Sequence, residues 1–403
     1  MNDAAPRGPA GSPNASAPRH DVVVVGAGIA GLACAHRLSA EGLDVVVVEA
    51  SARVGGKIGS VRDDGFLLEQ GPNSFLGSAR AIWPLVDELG LGGRLMQAGP
   101  PGTRWIYRGG RARTLPSGLW SAATGDWLPL AAKLRVAYEA FVAAAPSDDE
   151  TLYDFVARRC GDDFAAGVIA PFTSGVYAGD PHQLGAKDAF LRMWNLEAEH
   201  GGLIRGARAL ARQRRAAGVV VRAGLWNFDD GLGVLTDALA AQLQRRASTS
   251  LRCNRSVAAL QREGAGWSIS LTSTAPSTDA ADDIDDIDDI DDPPTLHADA
   301  VVLALPQHAL AALVAPLSAA AAAALAQSPV ATVAVVHLGG ADPSGSAPRG
   351  FGALIARGEG VRALGVLVPS SLFAGRAPEG SALFSVFLGG VTDPEAVDLD
   401  DAT

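Results

Sequence analysis

The first strong pattern in the chain is Asp21 followed by Val22, Val23, Val24 and Val25. Such a β-branched run suits a parallel strand buried on both faces. Gly26-Ala27-Gly28-Ile29-Ala30-Gly31 follows, and then Leu32, Ala35 and Leu38 recur at helical spacing. A second β-branched run, Val45–Val48, ends at Glu49. Together these predict a βαβ unit of about 30 residues. Further on, the pattern predicts a helix over 80–96 with Pro84 near its start, and a hairpin over 102–118 around Gly109-Gly110. Residues 127–165 read as mostly helical, with a capping signal in "SDDETLYDFVARR". Strand patterns return from 219, in "VVVRAGLWNF", "LRCNRSVAALQ", "WSISLTS" and "ADAVVLALP". "VATVAVVHL", "GFGALIAR", "VRALGVLVPS" and "SALFSVFLGG" follow as late strands.

Composition changes this picture in a few places. At 403 residues the chain is too long for one simple core, and 48% hydrophobic with 19% charged residues fits a folded enzyme. The net charge of −11 is concentrated in "DAADDIDDIDDIDD", whose nine aspartates leave about −2 for the rest. That tract reads as a solvated loop; it lacks the glycine and ligand spacing of a calcium loop. No basic cluster is dense enough for nucleic acid. Residues 1–20 read as a disordered tail without a secretory h-region. Ala309–Ala326 is alanine-rich and broken by Pro316, so it predicts a surface or buried helix, not a span. Cys34, Cys160 and Cys253 are scattered and odd in number, which suits a reducing cytoplasm; they make no metal cluster.

Gly26, Gly28 and Gly31 match G-x-G-x-x-G between a strand and a helix. The first glycine permits the turn, the second lets backbone approach a pyrophosphate, and the third lets the helix pack on the strand. Ile29 and Ala30 open the helix whose N-terminus favours phosphate. Glu49, with Ala50 beside it, ends the second strand where an acid accepts from ribose hydroxyls. This predicts a bound dinucleotide.

The continuation "EASARVGGKIGS", with Arg53, Gly55, Gly56 and Lys57, resembles the second glycine motif of FAD-dependent oxidases and desaturases. There the chain passes over the pyrophosphate, which implies FAD. In "GFLLEQGPNSF", Gly71, Pro72, Asn73 and Ser74 stand where that superfamily brings backbone near the flavin ring. "PFTSGVYAGDPHQLG", "AFLRMWNLEAEHGGLI", "FAGRAPEG", "GFGALIAR" and "FSVFLGG" resemble the oxygen-dependent protoporphyrinogen and coproporphyrinogen oxidases, from about residue 20 onward. The resemblance implies oxidation of a porphyrinogen by hydride transfer to FAD, with dioxygen as acceptor giving peroxide, in haem biosynthesis. It implies that Arg104 pairs with a substrate propionate. Leu354, Leu367 and Phe387 would clamp the macrocycle, Gly175 and Val176 would approach it, and the Val257 backbone would meet the adenine. No nucleophile–base pair stands out, and His182, His200, His297, His308 and His337 fall in unrelated contexts. That suits a reaction in which the cofactor carries the chemistry and the protein orients it.

The fold expected is α/β: a Rossmann-like FAD domain built from discontinuous segments, a mixed-sheet substrate domain and a helical lobe. Expected boundaries are 21–98 and 226–310 for the FAD domain, with an acidic loop at 279–293. The hairpin 99–116, the strands of 201–225 and residues 311–403 would make the substrate domain, and 117–200 the lobe. The resemblance implies that the lobe faces a membrane. Lys133, Arg135 and Glu139 within 128–145 limit this to peripheral contact, at the inner membrane face of the cytoplasm. A homodimer and neighbouring haem-pathway enzymes are the implied partners. The family continues into a late glycine-containing segment that contacts flavin, and nothing after "FSVFLGG" matches it. One wall of the flavin site is therefore expected to be missing, which leaves an inactive chain as an alternative. Another oxidase of the superfamily, acting on amines or carotenoids, is the other. "FDDGLGVLTDAL" also departs from the family's usual Gly-Gly before a helix.

Overall fold

The computed structural model describes residues 18–99, 102–216, 222–274 and 294–400. The aspartate tract and nearly all of the N-terminal tail lie outside the described residues. The chain divides into two compact units, Met1–Ile58 with Gly233–Ser328, and Gly59–Leu232 with Pro329–Thr403.

The first unit is built on a six-stranded sheet. Its strand order is Thr249–Arg252, Val45–Val48, Arg19–Val25, Thr295–Leu303, Gly266–Ser273 and Arg255–Glu263. The first four strands run parallel, and the last two join antiparallel. Val23, Val46 and Ile269 are fully buried in its core with Val25, Val48 and Leu296. The valine runs therefore form the central strands, as a two-sided buried position requires. The helix Ile29–Ala40 follows the first strand, and Gly233–Gln244 packs beside it.

The second unit has a six-stranded mixed sheet in the order Val333–Ala341, Ser381–Gly389, Gly365–Leu367, Gly350–Ile355, Thr103–Tyr107 and Ala112–Thr114. Only Gly350–Ile355 with Thr103–Tyr107 is parallel. A small sheet joins Phe75–Leu76, Leu225–Phe228 and Leu95–Gln97. Most residues between Leu119 and Ala216 are helical, with a core of Leu152, Phe155, Val156, Ala165 and Ala186.

Several expectations need correction. The first strand begins at Arg19, so the tail ends before residue 20; Arg19 pairs with His297. The helix over 80–96 is shorter, Ile82–Glu88, because Gly90 turns left-handed (φ 67°) and Leu95–Gln97 becomes a strand. Residues 127–165 are mostly helical, as expected: Leu130–Ala137 continues into the 3-10 turn Tyr138–Phe141, and Leu152–Cys160 and Asp162–Phe164 follow a non-helical stretch before Thr151. Thr151 caps Leu152–Cys160 by accepting from the Asp154 N–H. Within 201–225, Leu203–Ala216 is a helix and not strand, since its Leu, Ala, Arg and Gln residues are strong helix formers. Residues 59–98 and 226–232 group with the second unit, and 311–328 with the first. The alanine-rich stretch forms two helices, Gln307–Val314 and Ala319–Gln327.

Candidate functional site

In the first unit, the ends of the central strands border a pocket of about 280 Å³ lined by Gly26, Glu49, Ala50, Val257 and Leu313. Glu49 is buried and accepts hydrogen bonds from the Ala27 N–H at 2.7 Å and the Ser51 N–H at 2.9 Å. A carboxylate has lone pairs beyond those two, so it can still accept from a sugar hydroxyl. Val257 lies where the register of its strand slips against Gly266–Ser273, which leaves a bulge at the pocket wall.

The three glycines differ in what they permit. A Cβ on Gly31 would stand 1.9 Å from the Gly26 carbonyl oxygen, so Gly31 is fixed by helix packing. Gly28 has nothing within 4 Å of such a Cβ. Gly28 also opens the 12-residue helix Ile29–Ala40, which has no side-chain cap and no acid in its first turn. Uncapped amides beside a bare backbone fit a pyrophosphate. The second glycine loop closes over this turn: the Gly55 N–H donates to the Ala27 carbonyl at 2.8 Å, and Gly28 and Gly55 form a parallel bridge. Arg53 donates to the carbonyls of Gly56 and Ile58, both at 3.0 Å, so its guanidinium braces this loop. Gly56 and Lys57 are exposed.

In the second unit, Gly71, Pro72, Asn73 and Ser74 follow the strand Phe66–Glu69. Two residues outside the expected set hold this segment. Asn227 Nδ2 donates to the Asn73 carbonyl and to Glu69 Oε1, each at 2.9 Å. Glu69 also accepts from Ser60 Oγ at 2.6 Å and the Leu232 N–H at 3.0 Å. Glu69 stands inside the quoted "GFLLEQGPNSF"; Asn227 carries no local signal.

Sheet register brings the other expected residues to one face. Residues paired across strands share a face. Leu354 pairs with Gly365, and Gly365 with Phe387. The neighbouring row is Arg104, Gly352, Leu367 and Ser385. Gly365 and Leu367 are two apart in one strand, so both rows lie on the same side. Gly352 holds φ 144°, and a Cβ there would lie 2.1 Å from the Val366 oxygen, so only glycine fits this crossing. Phe351 is the extra residue of the adjacent bulge, and the Arg104 guanidinium lies 5.1 Å from its ring centre. Gly175, on the helix Ala170–Tyr177, touches Leu354: a Cβ would meet Leu354 Cδ2 at 2.4 Å. Val176 is exposed beside it. Arg104 opens onto a separate pocket of about 710 Å³, whose lining includes Phe351 but not Leu354, Leu367 or Phe387.

His337 also lies on this face, paired with Ser385. Its Nε2–H donates to the Glu69 carbonyl at 3.1 Å, so Nδ1 accepts from Ser385 Oγ at 3.0 Å. Burial holds its pKa below the ordinary histidine value. Both ring nitrogens are engaged in holding strands together.

A Rossmann-type sheet with a bare glycine turn, a carboxylate lining the pocket at the end of the second strand and a second glycine loop defines a dinucleotide-dependent oxidoreductase, and the dinucleotide is FAD. Residues 29–403 match the flavin containing amine oxidoreductases, and the chain belongs to that family. It is 33% identical over 393 residues to the chloroplastic protoporphyrinogen oxidase of Nicotiana tabacum, across 93% of this chain and 68% of that one. It is 29% identical over 400 residues to the coproporphyrinogen III oxidase of Bacillus subtilis (strain 168), across 94% of this chain and 79% of that one. A crystal structure from Exiguobacterium sp. 255-15, assigned to the protoporphyrinogen oxidases, has a TM-score of 0.75 at 22% identity, covering 96% and 80% of the two chains. Putrescine oxidase bound to putrescine has a TM-score of 0.65 at 17% identity, covering 96% and 79%. These two likenesses concern the fold.

Proposed function

We propose that this chain oxidises a porphyrinogen, protoporphyrinogen IX or coproporphyrinogen III, to the porphyrin in haem biosynthesis. When bound, FAD supplies the hydride acceptor, and dioxygen takes the electrons onward as peroxide. The observation that carries the reading is the shared sheet face of Arg104, Leu354, Leu367 and Phe387. Apolar side chains suit the flat body of the macrocycle, and a guanidinium suits a propionate at its edge. Gly175 keeps the adjoining helix close to Leu354 without a side chain in the way. An amine substrate is disfavoured, because Arg104 and Arg222 line the 710 Å³ pocket and no acid does among the described residues.

The helical lobe supports peripheral contact with a membrane. No helix among the described residues is long and apolar enough to cross one. Yet Leu119 is 93% and Trp120 81% exposed, and Leu130, Leu134, Tyr138 and Phe141 are exposed on the elements that follow. Two of the charges expected to oppose this contact turn inward. Glu139 is buried, and Arg135 donates to the carbonyls of Arg158 and Arg159.

The test is turnover. The FAD-loaded chain is given each porphyrinogen under air, and porphyrin fluorescence is followed. Porphyrin formed faster than autoxidation, with peroxide released, supports the reading. A flavin-loaded chain that oxidises neither would overturn it.

A further inference from the structure

We propose that Arg222 is a second carboxylate-binding residue, so that Arg104 and Arg222 together grip two acid groups of one substrate. This rests on the porphyrinogen reading and deepens it. Both side chains line the pocket of about 710 Å³, with Phe351, Leu76 and Leu372 as apolar wall. Each guanidinium is seated on an aromatic ring: Arg222 lies 4.0 Å from the centre of Trp83, and Arg104 lies 5.1 Å from that of Phe351. Neither forms an ion pair or a side-chain hydrogen bond among the described residues. Stacking fixes a guanidinium through its face and leaves its N–H edge free for a carboxylate. Arginines that only stabilise a fold are usually spent on acids or carbonyls, as Arg53 and Arg159 are here.

The seat of Arg222 is itself fixed. Trp83 donates from Nε1 to the Gly77 carbonyl at 2.9 Å and packs edge-on against Trp226 at 5.3 Å. The next carbonyl along, that of Ala223, accepts from Trp226 Nε1 at 3.0 Å and Gln97 Nε2 at 3.2 Å. The Gly77 N–H donates to the Gly224 carbonyl at 2.9 Å. A cation held on a braced turn loses little freedom when it takes a carboxylate. Two such cations beside apolar walls, with no acid in the lining among the described residues, match a dicarboxylate on an apolar body.

The test measures binding of two probes to the full chain by porphyrin fluorescence titration, without turnover. One probe is protoporphyrin IX, with both propionates free; the other is its dimethyl ester. Flavin retention checks the fold of each variant. Arg222→Gln is expected to weaken the diacid about tenfold, the scale of one charge-assisted hydrogen-bonded pair, and to leave the diester within about twofold. Arg222→Lys keeps the charge without the fork and is expected to fall between. An Arg104→Gln, Arg222→Gln double variant should bind diacid and diester alike. If Arg222→Gln weakens both probes equally, or neither, the second grip is overturned. In that case an Arg104→Gln variant that still loses diacid affinity leaves the porphyrinogen reading standing. If the unmodified chain binds neither probe, that reading fails and this inference with it.

Discussion

The main-chain N–H of Ala27 lies 2.7 Å from Glu49 Oε2, so the glycine turn after the first strand is tied to the end of the second. The same carboxylate takes the Ser51 N–H, which makes Glu49 both a clamp on the turn and a wall of the pocket. Glu49→Ala strands the buried Ala27 N–H, at a cost of about 1–3 kcal/mol, and removes the acceptor of the exposed Ser51 N–H. Glu49→Gln keeps one acceptor and the shape. Both variants are expected to raise the FAD dissociation constant at least tenfold by flavin fluorescence titration. A Gln variant that melts normally and binds FAD normally would make Glu49 a purely structural residue.

Gly28 and Gly31 give a sharper contrast. Gly31→Ala drives a methyl into the Gly26 carbonyl, and no flexible side chain can yield there. It is expected to lower the melting temperature without FAD, by a loss of several kcal/mol, on the order of the larger overpacking penalties. Gly28→Ala meets only open space in the protein, so the FAD-free chain should melt within about 1 °C of the parent, the small effect expected where no neighbour must move. FAD affinity should nonetheless fall sharply. Equal melting shifts in the two variants would contradict the assignment of Gly28 to the cofactor.

The helical lobe should be sensitive to acid. Arg159 is buried with Glu139 and Glu197, and Arg158 joins Glu197 to Glu150. Burial on its own would raise the Glu139 carboxyl. The Ile204 N–H, the Arg159 guanidinium and the Leu203 N–H hold it below its ordinary 4.5. Burial likewise opposes ionisation of Glu197, and Arg158 with the Ala145 N–H pulls it down. A depressed carboxylate stabilises the fold fully above its unfolded pKa and loses that contribution as pH falls through the folded value. Melting temperature should therefore be flat from pH 7 to about 5 and drop below about 4.5. Glu139→Gln should cost about 3–5 kcal/mol at pH 7, because it leaves a buried arginine short of its partner, and its acid limb should be shallower. A limb as steep as the parent's would place the acid sensitivity elsewhere.

The proposed membrane contact rests on the exposed Leu119 and Trp120. The chain is expected to sediment with anionic vesicles, and Leu119→Asp with Trp120→Asp should abolish this without altering flavin content. Sedimentation that survives both substitutions would move the contact to another face.

Much of the first unit could be read from the chain itself. Four valines before Gly26 and four before Glu49 form short, buried strands, and the glycine spacing marks the turn between strand and helix. The strands of the second unit were also legible, yet their register was not. Nothing local in "GFGALIAR" or "LGVLVPS" says that Leu354 and Leu367 share a face with Arg104; that follows from pairing across hundreds of residues. Local pattern failed at 203–216, where an arginine-rich helix stands in place of a strand, and at 90–97, where glycines end the helix early. Asn227 and Arg222 escaped notice because their roles arise from what lies across the fold: Asn73 for one, Trp83 for the other.

The central strand Arg19–Val25 lies between Val45–Val48 and Thr295–Leu303. Arg19 and Asp299, joined by an ion pair, stand 280 residues apart in sequence. During synthesis the strand before the glycine turn lacks one parallel neighbour until Thr295–Leu303 has been made. The valines of that strand then present an open sheet edge, the kind of surface that invites wrong pairing and chaperone capture. The turn that follows this strand therefore rests on a pairing that only a distant segment, Thr295–Leu303, can supply.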